Sequence, residues 1–279
     1  MTESHTPFSV IMSVYRNDRA EWLSRSVESL KTQTVLPAEI ILVVDGPIPE
    51  ELDGAVTALE SDPLFRVIRL AENKGLGNAR NLGVTNAACE LVACMDADDI
   101  AKPYRFERQL ACFEADPELA IVGGHISEFI GEEENITGYR VVPSTHEEIC
   151  SYLKERCPFN HPSVMFKKSA VQQAGGYLDW FWNEDYYLWL RMYLTGLKMA
   201  NVPEVLVHMR AGKDMYNRRG GKKYYESEKR LQKYMLEQGI IGKGTYRKNV
   251  LKRFILQRML PASVRGFLFK KLARAKKVD

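Results

Sequence analysis

Three carboxylates fall within four residues at Asp96, Asp98 and Asp99, directly after the strand-like run Leu91-Val-Ala-Cys-Met95. Like charges this dense repel one another unless a cation or hydrogen-bond donors compensate them. A divalent metal with oxygen ligands is the economical compensation. The same residues taken alone also suit a solvated turn and helix N-cap, and it is their place at the end of a buried strand that decides for metal. One carboxylate can hold an ion that also bridges the phosphates of a nucleoside diphosphate, which neutralises charge on a leaving group.

A second segment, Asn73-Lys-Gly-Leu-Gly-Asn-Ala-Arg-Asn-Leu-Gly83, punctuates a loop with glycines and runs into a helix. Glycines let backbone approach a ligand, and a helix N-terminus favours negative charge. The spacing matches neither a P-loop nor GxGxxG. Arg80 suits a phosphate or one of the nearby carboxylates, and local sequence leans to the second. A third segment, Asn183-Glu-Asp-Tyr-Tyr-Leu-Trp-Leu-Arg191, sets two acids beside Trp180 and Trp182. Aromatic faces stack on sugar rings, and a carboxylate against an apolar wall can act as general base. Without the other segments, an acidic N-cap on an apolar helix explains these residues as well. His161 and His208 each suit a packed, hydrogen-bonded role better than a role on metal or phosphate.

These side chains need a frame that brings them to one place. Phe8 to Tyr15, Glu39 to Asp45, Phe65 to Leu70 and Glu90 to Asp96 read as strands, the first two as near-continuous apolar runs buried on both faces. Helical segments alternate with them, from a capping-box-like start at Asp18 and Glu21, from Pro49 to Leu59, and after Asn73. Such alternation predicts an α/β sheet whose strand ends carry the functional loops, with Tyr15, Asp45 and Asp96 delivered to one edge. A helix from Tyr104 to Ala115, a strand near Ala120 to Gly123, a less regular region to Pro162, a helix after Asp185 and a strand over Glu204 to Met209 complete the pattern.

Together the segments resemble the family 2 glycosyltransferases, whose GT-A fold is a nucleotide-binding α/β domain with a DxD metal motif. The marks are Ser13-Val-Tyr15, Ser29-Leu-Lys-Thr-Gln-Thr34, Asp45-Gly46, Asn73-Lys-Gly-Leu-Gly-Asn-Ala-Arg80, Asp96-Ala-Asp98-Asp99 and Glu184-Asp185, spread from about Phe8 to Gly212. The resemblance implies a mostly parallel central sheet flanked by helices. It implies that Ser13, Val14 and Tyr15 contact the nucleoside, Asp45 the base, and Asn73 with Arg80 the nucleotide side of the pocket. It places Asp96 near the ribose or metal, makes Asp98 the metal ligand for Mg²⁺ or Mn²⁺, and makes Asp185 the base in an inverting transfer. Many members have two acids after the second strand; here Val44-Asp45-Gly46-Pro47 leaves Asp45 alone.

Asn160-His-Pro-Ser-Val-Met-Phe166, Gly175-Gly-Tyr177 and Arg218-Arg-Gly-Gly221 are similar to the branch that builds bacterial exopolysaccharide, capsule or O-antigen, the amylovoran type. This implies a nucleotide-sugar donor, a UDP-sugar, and a glycan acceptor linked to polyprenyl diphosphate. Two alternatives stand beside it. A sugar nucleotidylyltransferase would need a glycine-rich, arginine-bearing loop after the first strand, and Ser13-Val-Tyr-Arg-Asn-Asp18 has no glycine. A catalytically inactive glycan-binding or scaffold protein would not need both Asp98 and Asp185.

With 279 residues and 45% hydrophobic content the chain can bury one substantial core. Its five cysteines show no CxxC pair, which reads as reduced cytoplasmic thiols. Neither a signal peptide nor a spanning segment is expected. Of the 39 Lys+Arg and 36 Asp+Glu, 20 and 5 fall in residues 213–279. The body is therefore acidic and the C-terminal part basic. We expect a GT-A domain over 1–212 and a basic helical extension over 213–279. Val264, Phe267, Leu268 and Leu272 recur at helical spacing among basic residues after Pro261, which predicts an amphipathic helix on anionic lipid at the inner face of the membrane. No recognition motif accompanies the charge, so nucleic acid is not expected as a partner.

Overall fold

The computed structural model describes residues 5–212, 220–260 and 275. Three βα units and a fourth strand open the described residues: β1 (Phe8–Val14), α1 (Ala20–Lys31), β2 (Glu39–Val44), α2 (Glu50–Glu60), β3 (Phe65–Arg69), α3 (Leu76–Asn86) and β4 (Leu91–Cys94). β3, β2, β1 and β4 lie side by side and parallel. Parallel strands need crossovers that cover both faces, which is why β1, β2 and β4 are near-continuous apolar runs, while the edge strand β3 carries the exposed Arg66 and Arg69.

Beyond β4 the sheet turns mixed. β5 (Ile100–Ala101), α4 (Arg105–Ala115), β6 (Leu119–Phe129), β7 (Ile136–Arg140), α5 (His146–Leu153), β8 (Met165–Lys167), α6 (Lys168–Gln173), α7 (Glu184–Leu194) and β9 (Lys198–Arg210) follow. The strand order is β3-β2-β1-β4-β8-β6-β9-β5, with β7 on β6. β8 joins β4 and β6 antiparallel, while β6 and β9 run parallel. β6 is much longer than the strand expected near Ala120 to Gly123, and it does not stop at Gly123-Gly124. A Cβ on Gly123 would strike Asn201 and Phe159, and one on Gly124 would strike Leu206. Here glycine marks close packing against β9 rather than a turn.

The sheet's two faces build two cores. Val10, Met12, Val14, Leu42 and Val44 pack with Leu23, Val27, Leu52 and Phe106 of α1, α2 and α4. Ile11, Ile41, Val43, Val92 and Cys94 face α3, α6 and α7 with Phe159 and Trp189. The alternation also sends Ser13 and Val14 in opposite directions, a consequence of the two-residue period of a strand.

Two further helices, α8 (Lys222–Glu237) and α9 (Lys243–Phe254), continue into a π-helical turn, Ile255–Met259. Leu231, Met235, Ile240 and Ile241 join the Trp189 core. Arg253 pairs with the buried Glu228, and Asn249 Nδ2 donates to Lys154 O (3.0 Å) and Gln232 Oε1 (2.8 Å). Residues 220–260 are thus folded against the body. The amphipathic helix expected from Pro261, with Val264, Phe267, Leu268 and Leu272, lies outside the described residues. Among the described residues no helix is long and apolar enough to cross a membrane.

Candidate functional site

The carboxyl ends of β1, β2 and β4 face the loops that the sequence singled out. Ser13 lines a cleft with Ile11, Arg80, Met95, Asp96 and His161. Val14 is buried, and its carbonyl accepts Asp45 N–H (2.8 Å), so its side chain belongs to the core. Tyr15 is exposed, and its N–H donates to Asp18 Oδ2 (2.9 Å). Asp18 therefore does not cap α1. The residue before that helix is Arg19, which makes no side-chain cap bond.

Asp45 is buried and holds the Asn73 loop. Its Oδ1 accepts Lys74 N–H (2.7 Å), its Oδ2 accepts Gly75 N–H (3.0 Å), and its carbonyl accepts from Asn73 Nδ2 (3.0 Å). Gly46 has φ +87°, and a Cβ there would sit 2.5 Å from Asn73 N. Only glycine allows the two loops to approach this closely. Asp45 and Asn73 thus form one rigid unit at the mouth of β2.

Arg80, on the first turns of α3, joins two segments that are far apart in sequence. Its Nη2 donates to Asp96 Oδ1 (3.1 Å) and its Nη1 to Glu184 Oε1 (2.7 Å). Burial alone would pull its pKa down, but Asp96 and Glu184 outweigh it and hold the guanidinium charged. Burial pushes the Glu184 carboxyl up to about 7, against the opposing pull of Arg80. His161 Nδ1 stands 3.9 Å from Asp96 Oδ1 with no hydrogen-bond partner, while its Nε2 meets Tyr177 OH (2.9 Å). Burial, with Arg80 and Arg105 nearby, holds His161 well below the usual histidine range, so it is neutral.

The Asp96-Ala-Asp98-Asp99 turn is held by Arg210 at the end of β9. Arg210 N–H donates to Asp99 Oδ1 (2.8 Å), and its Nε donates to Asp98 O (3.2 Å). Its guanidinium lies between the Trp22 and Phe129 rings, 5.0 and 4.6 Å from their centroids. Burial, reinforced by Asp98 and Asp96, pushes Asp99 well above the carboxylate range, and its Oδ2 is buried with no partner. Asp18 is pushed up to about 7, first by burial and then by Asp98 and Asp96, despite the Tyr15 hydrogen bond. Four carboxyls thus crowd one another, and a cation would relieve them. Among the described residues no three His, Cys, Asp or Glu side chains form a complete cage. An ion that takes most of its oxygens from substrate phosphates and water needs only one or two carboxylates, so the residues fit Mg²⁺ or Mn²⁺.

His208 points elsewhere. Its Nδ1 meets Ser127 Oγ, and its Nε2 lies 3.1 Å from Lys102 Nζ. Asp185 sits in the first turn of α7, and its Oδ1 accepts Tyr186 N–H (2.6 Å). The segment before it is tied to α8. Ser227 Oγ donates to Phe181 O (2.6 Å), Asn183 Nδ2 donates to Ser227 Oγ (3.2 Å), and Trp180 Nε1 donates to Ser227 O (3.4 Å).

Sequence reasoning missed the roles of Asp18 and Arg210. Asp18 looked like a helix cap, and Arg210 had no motif around it. Arg105 was missed too. Fully buried under the turn, it donates to Cys94 O (2.7 Å) and Val164 O (3.3 Å).

The family model described as glycosyl transferase family 2 matches residues 9–174. The amylovoran biosynthesis glycosyltransferase AmsE of Erwinia amylovora is 37% identical over 95% of this chain and 98% of its own length. The Escherichia coli UDP-Gal:α-D-GlcNAc-diphosphoundecaprenol β-1,3-galactosyltransferase is 35% identical over 98% of this chain and 99% of its own. Among solved structures, the mannosyltransferase PcManGT of Pyrobaculum calidifontis, in complex with GDP-Man and Mn²⁺, superposes with a TM-score of 0.62. It is 16% identical, covering 98% of this chain and 77% of that one.

Proposed function

The chain belongs to glycosyl transferase family 2 and has the GT-A fold, and from that premise we propose that it is a metal-dependent, inverting glycosyltransferase that uses a UDP-sugar. Its acceptor is a glycan on polyprenyl diphosphate, and its product a bacterial surface polysaccharide unit. The acceptor and donor classes follow the Escherichia coli relative's named substrates, and the pathway class follows the amylovoran relative. Membership of the family sets aside the nucleotidylyltransferase alternative.

The observation that carries this proposal is the Arg80 bridge. One guanidinium spans from Asp96, beside the metal turn, to Glu184, next to Asp185. Donor carboxylates and candidate base therefore share one rigid link. In the proposed mechanism the nucleoside lies along Ser13 to Tyr15 and the Asp45–Asn73 unit, with Asp96 near the ribose. Asp98 would hold Mg²⁺ or Mn²⁺, which would neutralise the departing diphosphate. Asp185 takes the proton of the acceptor hydroxyl as its oxygen bonds to the anomeric carbon. The bond to the diphosphate breaks on the opposite side, and the nucleoside diphosphate leaves. Tyr186 N–H keeps one Asp185 oxygen occupied and orients the other.

We further propose that residues 1–212 supply the chemistry and 213–279 the contact with the inner face of the membrane. Leu251, Phe254, Ile255 and Met259 are exposed at the end of α9, among Lys248, Lys252 and Arg258. Apolar side chains framed by cations suit an anionic lipid surface. The test is incubation with a nucleotide-sugar panel and Mn²⁺, reading nucleoside diphosphate release and the anomeric configuration of the product. Retention of configuration would overturn inversion, and no release from any donor would support the inactive scaffold.

A further inference from the structure

We propose that the cleft between α8 and the Trp180–Trp182 segment binds the diphosphate of the acceptor; this rests on the glycosyltransferase reading above. Phe181, Lys223, Glu226, Ser227 and Arg230 line it. The four α8 residues recur at positions i, i+3, i+4 and i+7, which is one face of a helix. That face is sealed to the segment leading into Asp185 by the three Ser227 hydrogen bonds described above. The cleft therefore adjoins the first turn of α7, the helix that carries Asp185.

Its cations are set on aromatic platforms. The Arg230 guanidinium lies 3.8 Å from the centroid of buried Trp180, and Lys223 Nζ lies 4.1 Å from that of Phe181. Stacking on a ring face fixes a guanidinium while leaving its N–H edge available for an oxyanion. Among the described residues Glu226 is the one acid in the lining, and it is paired with Lys222 Nζ at 4.0 Å. Exposed Trp182 meets Phe181 edge-on, with ring centroids 5.9 Å apart, and Leu178, two residues before Trp180, is exposed as well. Two held cations beside exposed apolar groups suit a ligand that joins a diphosphate to a hydrocarbon chain.

The probe is geranyl diphosphate, titrated calorimetrically into the full-length protein saturated with UDP and Mn²⁺, with geranyl monophosphate and geraniol alongside. We expect geranyl diphosphate to bind, the monophosphate to bind more weakly and geraniol not at all. Lys223→Gln and Arg230→Gln should each weaken geranyl diphosphate about tenfold, the loss of one charge-assisted hydrogen bond, and leave UDP affinity unchanged. Arg230→Lys should recover only part, because the planar fork is lost. Lys223 is remote from the core, so its variant answers the question even if Arg230→Gln unfolds. Competition between geranyl diphosphate and UDP, or equal affinity in wild type and Lys223→Gln, would overturn the site. So would flotation on phosphatidylglycerol vesicles that falls as much as geranyl diphosphate binding does, since the anion would then be a lipid headgroup. Failure of UDP itself to bind would instead count against the glycosyltransferase reading.

Discussion

In the proposed mechanism the chemistry turns on Asp98 and Asp185, and each makes a separable prediction. Asp98→Ala should abolish Mn²⁺-dependent UDP binding and keep a cooperative thermal transition, because it removes the proposed metal ligand and one of four crowded carboxyls. Calorimetric titration with and without Mn²⁺ checks this. Asp185→Asn should lower turnover by about 10² to 10⁴, the usual share of a general base, at nearly constant donor affinity. Near-normal turnover would shift the base to Glu184, although that carboxyl already accepts from Arg80. Asp18 predicts a pH effect. Burial holds its folded pKa at about 7, above the ordinary aspartate value of 3.8, so the stability it contributes is full below about pH 4 and lost as pH rises towards 7. Asp99 is shifted in the same direction. Metal-free Asp18→Asn should therefore show a shallower, not absent, loss of thermal stability between pH 4 and 8. An unchanged slope would show that Asp18 does not sense the turn. The density of Asp96, Asp98 and Asp99 was legible because three acids after a strand need no structure to look costly. Asp18 was not, because its neighbours come from β4.

At the scale of elements, the βα alternation from Phe8 to Cys94 was legible within a residue or two, since fully apolar strands separated by amphipathic helices admit few arrangements. In the second half only α4, α7 and the end of β9 were legible. β7 and α5 lie where an irregular region was expected, β8 is only three residues long, and β6 runs through two glycines. What joins the halves is Arg80, whose partners come from β4 and α7. Arg80→Met should destabilise the protein by about 3 kcal/mol at neutral pH, the cost of leaving a buried carboxylate without its partner. Acidification should reduce that penalty as Glu184 takes up a proton. Pairing the change with Glu184→Gln should recover most of it. Denaturant unfolding of the two single variants and the double variant measures the coupling. A strictly additive double variant would reduce the bridge to two independent contacts.

Across the whole molecule, the asymmetry of charge was plain from composition, but its packing was not. α8 and α9 give Leu231, Met235 and Arg253 to the body. Deletion from Gly242 would strip buried Glu228 of its cation, so the informative cut lies after Leu260. Removing 261–279 takes away six Lys+Arg and one Asp. At about 1 kcal/mol for each basic residue near an anionic leaflet, flotation on anionic vesicles should fall sharply. UDP affinity should not change. Any remaining flotation should be less sensitive to salt and should disappear with Leu251→Glu and Met259→Glu, because it would come from the apolar end of α9 with fewer cations around it. Equal flotation of full-length and truncated protein would remove the tail as an anchor.

The Arg80–Glu184 pair also sets a rule for recombining relatives. Residues 9–174 carry the family pattern, yet the carboxylate that completes the pattern's buried arginine stands at 184. A chimera spliced at residue 174 would inherit one half of this ion pair from each parent. Donor and acceptor specificities can be exchanged as modules only if the incoming segment brings a matching acid. Grafts from parents lacking that acid should fail as folded proteins before they fail as catalysts.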